Sequence, residues 1–304
     1  MTNTSDKTSL HRNNKHQGSY DFEELIKKVP ELNEFVFQNK YSNLTIDFSD
    51  AKAVKALNQA LILRFYRLDY WDIPKGYLTP PVPSRSEYIH RVSDLFEKTN
   101  KKNCLDVGIG ANAIYPIVGI VDYGWSFVGT DIDQVALDSV KILIEKNKVL
   151  QSKIELRKQD APDQIFEGIL KKGDYFDITI CNPPFHSSEE EARKGSVRKN
   201  RNLKITKKTN DLLNFSGQSK ELWCDGGELA FISQMILESR KYKESCQWFT
   251  TLVSKEKHLK ILIKNLKKVK PASFRTLPIV IGNKTSRILA WSFTKEEFVL
   301  KENG

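Results

Sequence analysis

Three short stretches of the 304-residue chain carry side chains whose types and spacing could do chemistry: "LDVGIGANA" (105–113), "GTDID" (129–133) and "CNPPFH" (181–186). In the first, Gly108 and Gly110 follow an apolar run. Glycine lets the backbone turn sharply and lets a ligand approach the peptide closely. Gly108, Gly110 and Ala113 satisfy the dinucleotide pattern G-x-G-x-x-A. Asp106, two residues ahead of the turn, suits S-adenosylmethionine equally well, because a carboxylate there can meet that ligand's amino group through water. Asp131 lies 25 residues beyond Asp106 and ends the next apolar run. A carboxylate in that position can accept both ribose hydroxyls of either cofactor. The turn and its acid therefore predict a nucleotide-type cofactor and leave its identity open.

The third stretch separates the two. Asn182, Pro183, Pro184 and Phe185 directly follow "FDITIC", which reads as a buried strand. Proline cannot extend a sheet ladder, so the strand ends here on a stiff turn. An exocyclic amine of a base is a poor nucleophile, because its lone pair is delocalised into the ring. Two acceptors placed tetrahedrally would hold both N–H bonds and direct the lone pair at a methyl donor. The Asn182 side-chain oxygen can supply one acceptor and the Pro183 carbonyl the other, on a backbone fixed by proline. Phe185 offers a flat face on which a base can stack. Hydride transfer has no use for this constellation.

These residues must be held by a scaffold, and the pattern of elements predicts which. From residue 103 short apolar runs alternate with helical periodicity: "NCLDV", "SFVGTDID", "KIELRKQD" and "YFDITICN" as strands, with "QVALDSVKILIEKN" and "PDQIFEGIL" as helices between them. Such alternation implies βαβ crossovers and a parallel sheet, whose ligands sit beyond the carboxyl ends of the strands. "GGELAFISQMI" reads as a strand leading into a helix, and "CQWFTTLVS" and "SRILAWSF" as the last strands. Residues 1–19 read as a flexible basic arm and 20–100 as a helical region, in which Ser84 and Glu87 form a capping-box pattern.

The six stretches "HRNNKHQGSYDF", "WDIPKGYLTPPVPSRSEYIH", "LDVGIGANAIYPIVG", "CNPPFHSSEEEARKGSVRKNRNL", "LWCDGGELAFISQMILES" and "WFTTLVSK" together resemble the bacterial 23S ribosomal RNA adenine-N6 methyltransferase family, large-subunit methyltransferase F. Its eukaryotic relatives methylate adenine in structured RNA. The resemblance covers residues 11 to 293. It implies an α/β class I S-adenosylmethionine-dependent methyltransferase fold, Rossmann-like, over residues 101–304, with a seven-stranded sheet whose last strand is antiparallel. It implies S-adenosylmethionine as cofactor, with Arg85 on its carboxylate and with contacts from Asp106, Gly108, Gly110 and Asp131. Asp160 is the expected partner of the cofactor's adenine amine. One position departs from the wider class: Asn112 stands where many such enzymes carry a third glycine.

Charge is consistent with a polyanionic partner. Lys and Arg number 48 against 38 Asp and Glu, a net +10. In the loop at 187–222, Arg193, Lys194, Arg198, Lys199 and Arg201 are expected to track RNA phosphates beside a flipped base, with Arg12 and Lys15 of the arm as further contacts. The four cysteines form no CxxC pair and the histidines no HxxxH pattern, so no metal site is expected. The absence of a long apolar run and of a leader core predicts a cytoplasmic protein with no membrane partner. The expected reaction is direct methyl transfer, by a monomer, to an adenine N6 of 23S ribosomal RNA or of a large-subunit assembly intermediate. A protein glutamine-amide methyltransferase and a non-catalytic RNA-binding module are the competing readings.

Overall fold

The computed structural model describes residues 10–96, 101–188, 190, 223–282 and 284–294. The N-terminal region begins with α1 (Phe22–Lys28), capped by Asp21, and a 3-10 turn (Pro30–Phe35) that starts where Pro30 breaks the helix. A small hairpin follows, β1 (Val36–Gln38) and β2 (Leu44–Ile46), which helical patterning did not predict. Its turn is built by Asn39, whose side-chain oxygen accepts from the N–H groups of Tyr41 and Asn43. Helix α2 (Ala51–Phe65) is capped by Asp50 and buries Leu57 and Leu61. Helix α3 (Val82–Ser93) opens at Pro81, three residues earlier than a Ser84 cap would place it.

Glu87 consequently does not cap α3. It is almost fully buried, and its carboxylate accepts from the His11 N–H (2.9 Å), Asn14 Nδ2 (2.8 Å) and Arg91 Nε (2.7 Å). This corrects the expected flexible arm over the described residues 10–19. His11, Asn14 and His16 are buried, and His16 meets the Tyr66 hydroxyl at 2.9 Å. Lys15 pairs with Asp122 and lies over the Tyr66 ring.

The α/β region contains β3 (Asn103–Val107), α4 (Ile114–Tyr123), β4 (Ser126–Asp131), α5 (Gln134–Lys146), β5 (Ile154–Lys158) and β6 (Phe176–Cys181). It continues with α6 (Gly227–Lys241), β7 (Cys246–Val253), α7 (Glu256–Val269), β8 (Ser273–Ile281) and β9 (Lys284–Ser292). The seven strands run in the order β5-β4-β3-β6-β7-β9-β8, with β9 antiparallel to both neighbours. One apolar layer joins α2, α3, α4 and α5 to one face of the sheet, and a second joins α6 and α7 to the other.

Three expected elements differ. Residues 162–170 form turns rather than a helix. The N–H groups of Ile165, Phe166 and Glu167 all donate to the buried Glu238 carboxylate, and Gly168 takes φ +78°. "GELAF" is the first turn of α6 and not a strand, because two left-handed glycines, Gly226 and Gly227, turn the chain directly into a helix. Strand β8 was not anticipated. Pro278 lies within it, which an edge strand tolerates and an interior strand does not.

Candidate active site

The register of the central strands builds the site. Val107 of β3 is paired with Cys181 of β6 on one side and with Thr130 of β4 on the other. The next residue of each strand is therefore Asn182, Gly108 and Asp131, in adjacent rows spaced about 5 Å apart. Strand order reverses between β3 and β6, since β4 and β5 lie to one side of β3 and β6 and β7 to the other. This is the crevice where open α/β sheets bind ligands. The three motifs singled out in the sequence thus emerge side by side on one sheet edge.

Helix α3 supplies the clamp. Arg85 is buried, and its Nη1 donates to Asn182 Oδ1 at 3.0 Å and to the Tyr115 hydroxyl at 3.1 Å. One turn on, the Tyr88 hydroxyl accepts from the Cys181 N–H at 3.3 Å and meets Thr250 Oγ1 at 2.9 Å. Tyr88 and Tyr115 pack edge to face, 5.2 Å apart. Burial raises the phenol pKa of both tyrosines, so they stay neutral. A guanidinium can only donate, so the Asn182 amide is held with its oxygen toward Arg85. Tyr88 and Tyr115 were not among the sequence candidates. The signal for them was the 85/88 spacing on one helix face and the tyrosine that follows the glycine turn.

Beside this clamp, Asp106 is fully buried and neither of its carboxylate oxygens has a hydrogen-bond partner. Burial, then the nearby Asp131, raises its pKa well above the carboxylate range, and Arg85 opposes the shift. Asp131 accepts from the Gly110 N–H and the Asp133 N–H, each at 2.9 Å, and so holds the glycine turn. Gly108 has φ +76° and open space where a side chain would stand. Asp160 is 85% exposed and sits 3.6 Å from the Lys158 ammonium.

Pro183 is buried, and its carbonyl accepts no hydrogen bond among the described residues. Phe185 is half-buried and belongs to none of the described hydrophobic clusters. The chain returns at Trp223, which bridges to His186. There Gly227 packs so closely that a side chain would come within 3.0 Å of the His186 carbonyl carbon and the Ser187 nitrogen.

A sequence-family model described as RNA methyltransferase matches residues 4–295. The chain belongs to this RNA methyltransferase family. It is 49% identical over 303 residues to ribosomal RNA large subunit methyltransferase F of Bacteroides fragilis, covering 95% of this chain and 99% of that protein. Its identity to the protein of the same name from Cytophaga hutchinsonii is 48% over 299 residues, covering 96% and 93%. Among solved structures it is similar to the human METTL16 catalytic domain in complex with MAT2A 3'UTR hairpin 1, with TM-score 0.81, 29% identity and coverage of 95% and 96%. It is likewise similar to the N-terminal domain of human METTL16 in complex with SAH, with TM-score 0.74, 27% identity and coverage of 94% and 99%.

In this RNA methyltransferase the sequence-derived residues divide into three groups. Arg85, Asp106, Gly108, Gly110, Asp131 and Asn182–Phe185 share one sheet edge with its clamping helix. Asp160 is exposed at the rim of that edge, two residues past Lys158, which is the strand-register partner of Asp131; Arg12 and Lys15 lie in the N-terminal segment, Arg12 exposed and Lys15 paired with Asp122. Arg193, Lys194, Arg198, Lys199 and Arg201 lie outside the described residues.

Proposed function

We propose that this protein transfers a methyl group from S-adenosylmethionine to the N6 amine of an adenine in 23S ribosomal RNA. The observation that carries the reading is the placement of Asn182 and Pro183 directly beside the open glycine turn, one strand apart. The ribosomal substrate follows from relatives named for it at nearly half identity over nearly the whole chain. Asn182 Oδ1 keeps one lone pair free after accepting from Arg85, and it takes one N6–H. The Pro183 carbonyl takes the other, and Phe185 stacks the base. With both N–H bonds held, the nitrogen lone pair projects toward the glycine turn. Asn182 is too weak a base to keep the proton, which leaves to water.

The residues present fit the cofactor. Two buried carboxylate oxygens at Asp106 need a cationic partner, which the cofactor's ammonium provides, and the space at Gly108 admits a ligand against the backbone. Asp131 retains acceptor capacity for ribose hydroxyls, Gly110 orders the turn, and Arg85 has donors left for a carboxylate. Asp160, at the rim, is the candidate for the adenine amine. When bound, the cofactor supplies an electron-poor methyl carbon on a sulfonium.

Asn182→Ala tests the mechanism. Labelled methyl incorporation into 23S RNA is expected to fall at least about 100-fold, while calorimetry shows cofactor affinity unchanged. Full activity in this variant would rule out the acceptor role. Label entering a protein in place of RNA would favour glutamine-amide methylation.

A further inference from the structure

On α7, Lys257, Lys260, Lys264, Lys267 and Lys268 are all exposed. Their spacing of three, four, three and one places them on a single stripe about 16 Å long. Among the described residues none of the five is in an ion pair. The carboxylates of the α6–α7 pair are committed elsewhere. Glu228 is buried and accepts from the Ser254 N–H (2.6 Å) and meets His258 Nδ1 (2.7 Å). Glu238 is buried under residues 165–167, and Glu256 pairs with Arg287 at 3.0 Å. The outer face of α7 is therefore cationic without compensation.

Helix stability does not account for the stripe. Like charges at i,i+3 and i,i+4 repel, as at 257/260, 260/264 and 264/268. Lys257 also stands in the first turn, where the helix dipole disfavours a cation; only Lys267 and Lys268, in the last turn, complement it. A surface kept at a cost to the helix needs a ligand, and a row of cations calls for a polyanion. Membrane adsorption would require interleaved apolar side chains, and Ile261 alone of the large apolar residues is exposed on this helix. The stripe also starts next to the catalytic edge. Gly227 backs onto His186 and Ser187, and the adjoining Glu228 holds the residue that leads into α7.

We propose that the outer face of α7 docks the sugar–phosphate backbone of the substrate RNA, outside the site that holds the target base. This rests on the ribosomal RNA reading above. The test replaces Lys260, Lys264, Lys267 and Lys268 of the full chain by Gln, which keeps helix propensity. Binding of a 23S RNA fragment is then measured across salt concentrations.

The slope of log affinity against log salt is expected to become shallower by roughly 3 to 4, since each of the four phosphate contacts contributes about 0.7 to 0.9. KM for RNA should rise at least tenfold, with kcat at saturation and cofactor affinity unchanged. Arg at the same four positions should restore the parent slope. The single variant Lys264→Gln, expected to shift the slope by about 1, serves if the fourfold variant does not fold. An unchanged slope and KM would overturn the proposal. So would a variant that loses only co-sedimentation with anionic phospholipid vesicles. Failure of the parent to methylate ribosomal RNA would instead count against the function proposed above.

Discussion

Asp106 is a buried acid that the fold leaves without a hydrogen-bond donor, which is costly to the protein alone. A carboxylate with no donor around it cannot be charged cheaply, so burial holds Asp106 protonated far above its ordinary range. For an acid whose native pKa is raised, the folded chain binds more protons than the unfolded chain above the ordinary Asp pKa. Stability is then present at low pH and lost as pH rises from near 4 toward the native value. Asp106→Asn removes this slope. Thermal unfolding at pH 7 should shift upward relative to the parent, with little difference at pH 4. Cofactor affinity should fall at least about tenfold, or 1.4 kcal/mol. Pairing with an ammonium ionises the parent carboxylate, so cofactor binding at neutral pH should release a proton. Calorimetry in buffers of different ionisation enthalpy reads that proton, and a binding heat independent of buffer would contradict the account.

At the scale of elements, α3 joins the N-terminal segment to the sheet. Its Arg85 and Tyr88 face the strand ends, while Glu87 faces His11 and Asn14, His90 faces Tyr123 of α4 and Ser86 meets Tyr66 after α2. Burial lowers the pKa of His16 to about 4 and of His90 to about 3, with Lys15 adding to both shifts. His16 sits against Tyr66 and Tyr20, and His90 against Tyr123, His11 and Asp122. For a base whose native pKa is lowered, stability is complete above the unfolded value of 6.5 and declines as pH falls through that value toward the native one. Each histidine contributes a loss of about 1.4 kcal/mol per pH unit in that window. Amide exchange of residues 11–20 should therefore accelerate between pH 6.5 and 4 before the central strands lose protection. Uniform loss of protection across the chain would show that the segment does not respond separately.

For the whole molecule, net charge governs encounter with RNA. With 48 basic against 38 acidic residues, association with an RNA fragment should slow at least about tenfold between about 50 and 200 mM salt. Stopped-flow association rates check this, and a flat salt dependence would mean that contacts other than phosphates dominate. At this scale the sequence was readable where period and turn chemistry act locally. The alternation after residue 103 marked a parallel sheet, and the prolines after "FDITIC" marked the end of β6 at Cys181. It was misread where a distant group intervenes. Residues 162–170 have a helical pattern, but Glu238, some 70 residues away, takes their N–H groups. The segment around His11 has the composition of a loose arm, but Glu87 holds it 76 residues away.

What the sequence determined by itself was which residues are candidates for the site. Gly108, Asp131 and Asn182–Phe185 each need only their own residue type and the end of a strand, and both are local properties. Only the tertiary structure decided the partnerships. Strand order brings Asn182 beside Gly108, although 74 positions separate them. Helix packing places Arg85 on the Asn182 oxygen and leaves Asp106 without a donor. Pairing energies between groups so far apart along the chain leave no periodicity to read, because they depend on where the whole sheet puts its edges.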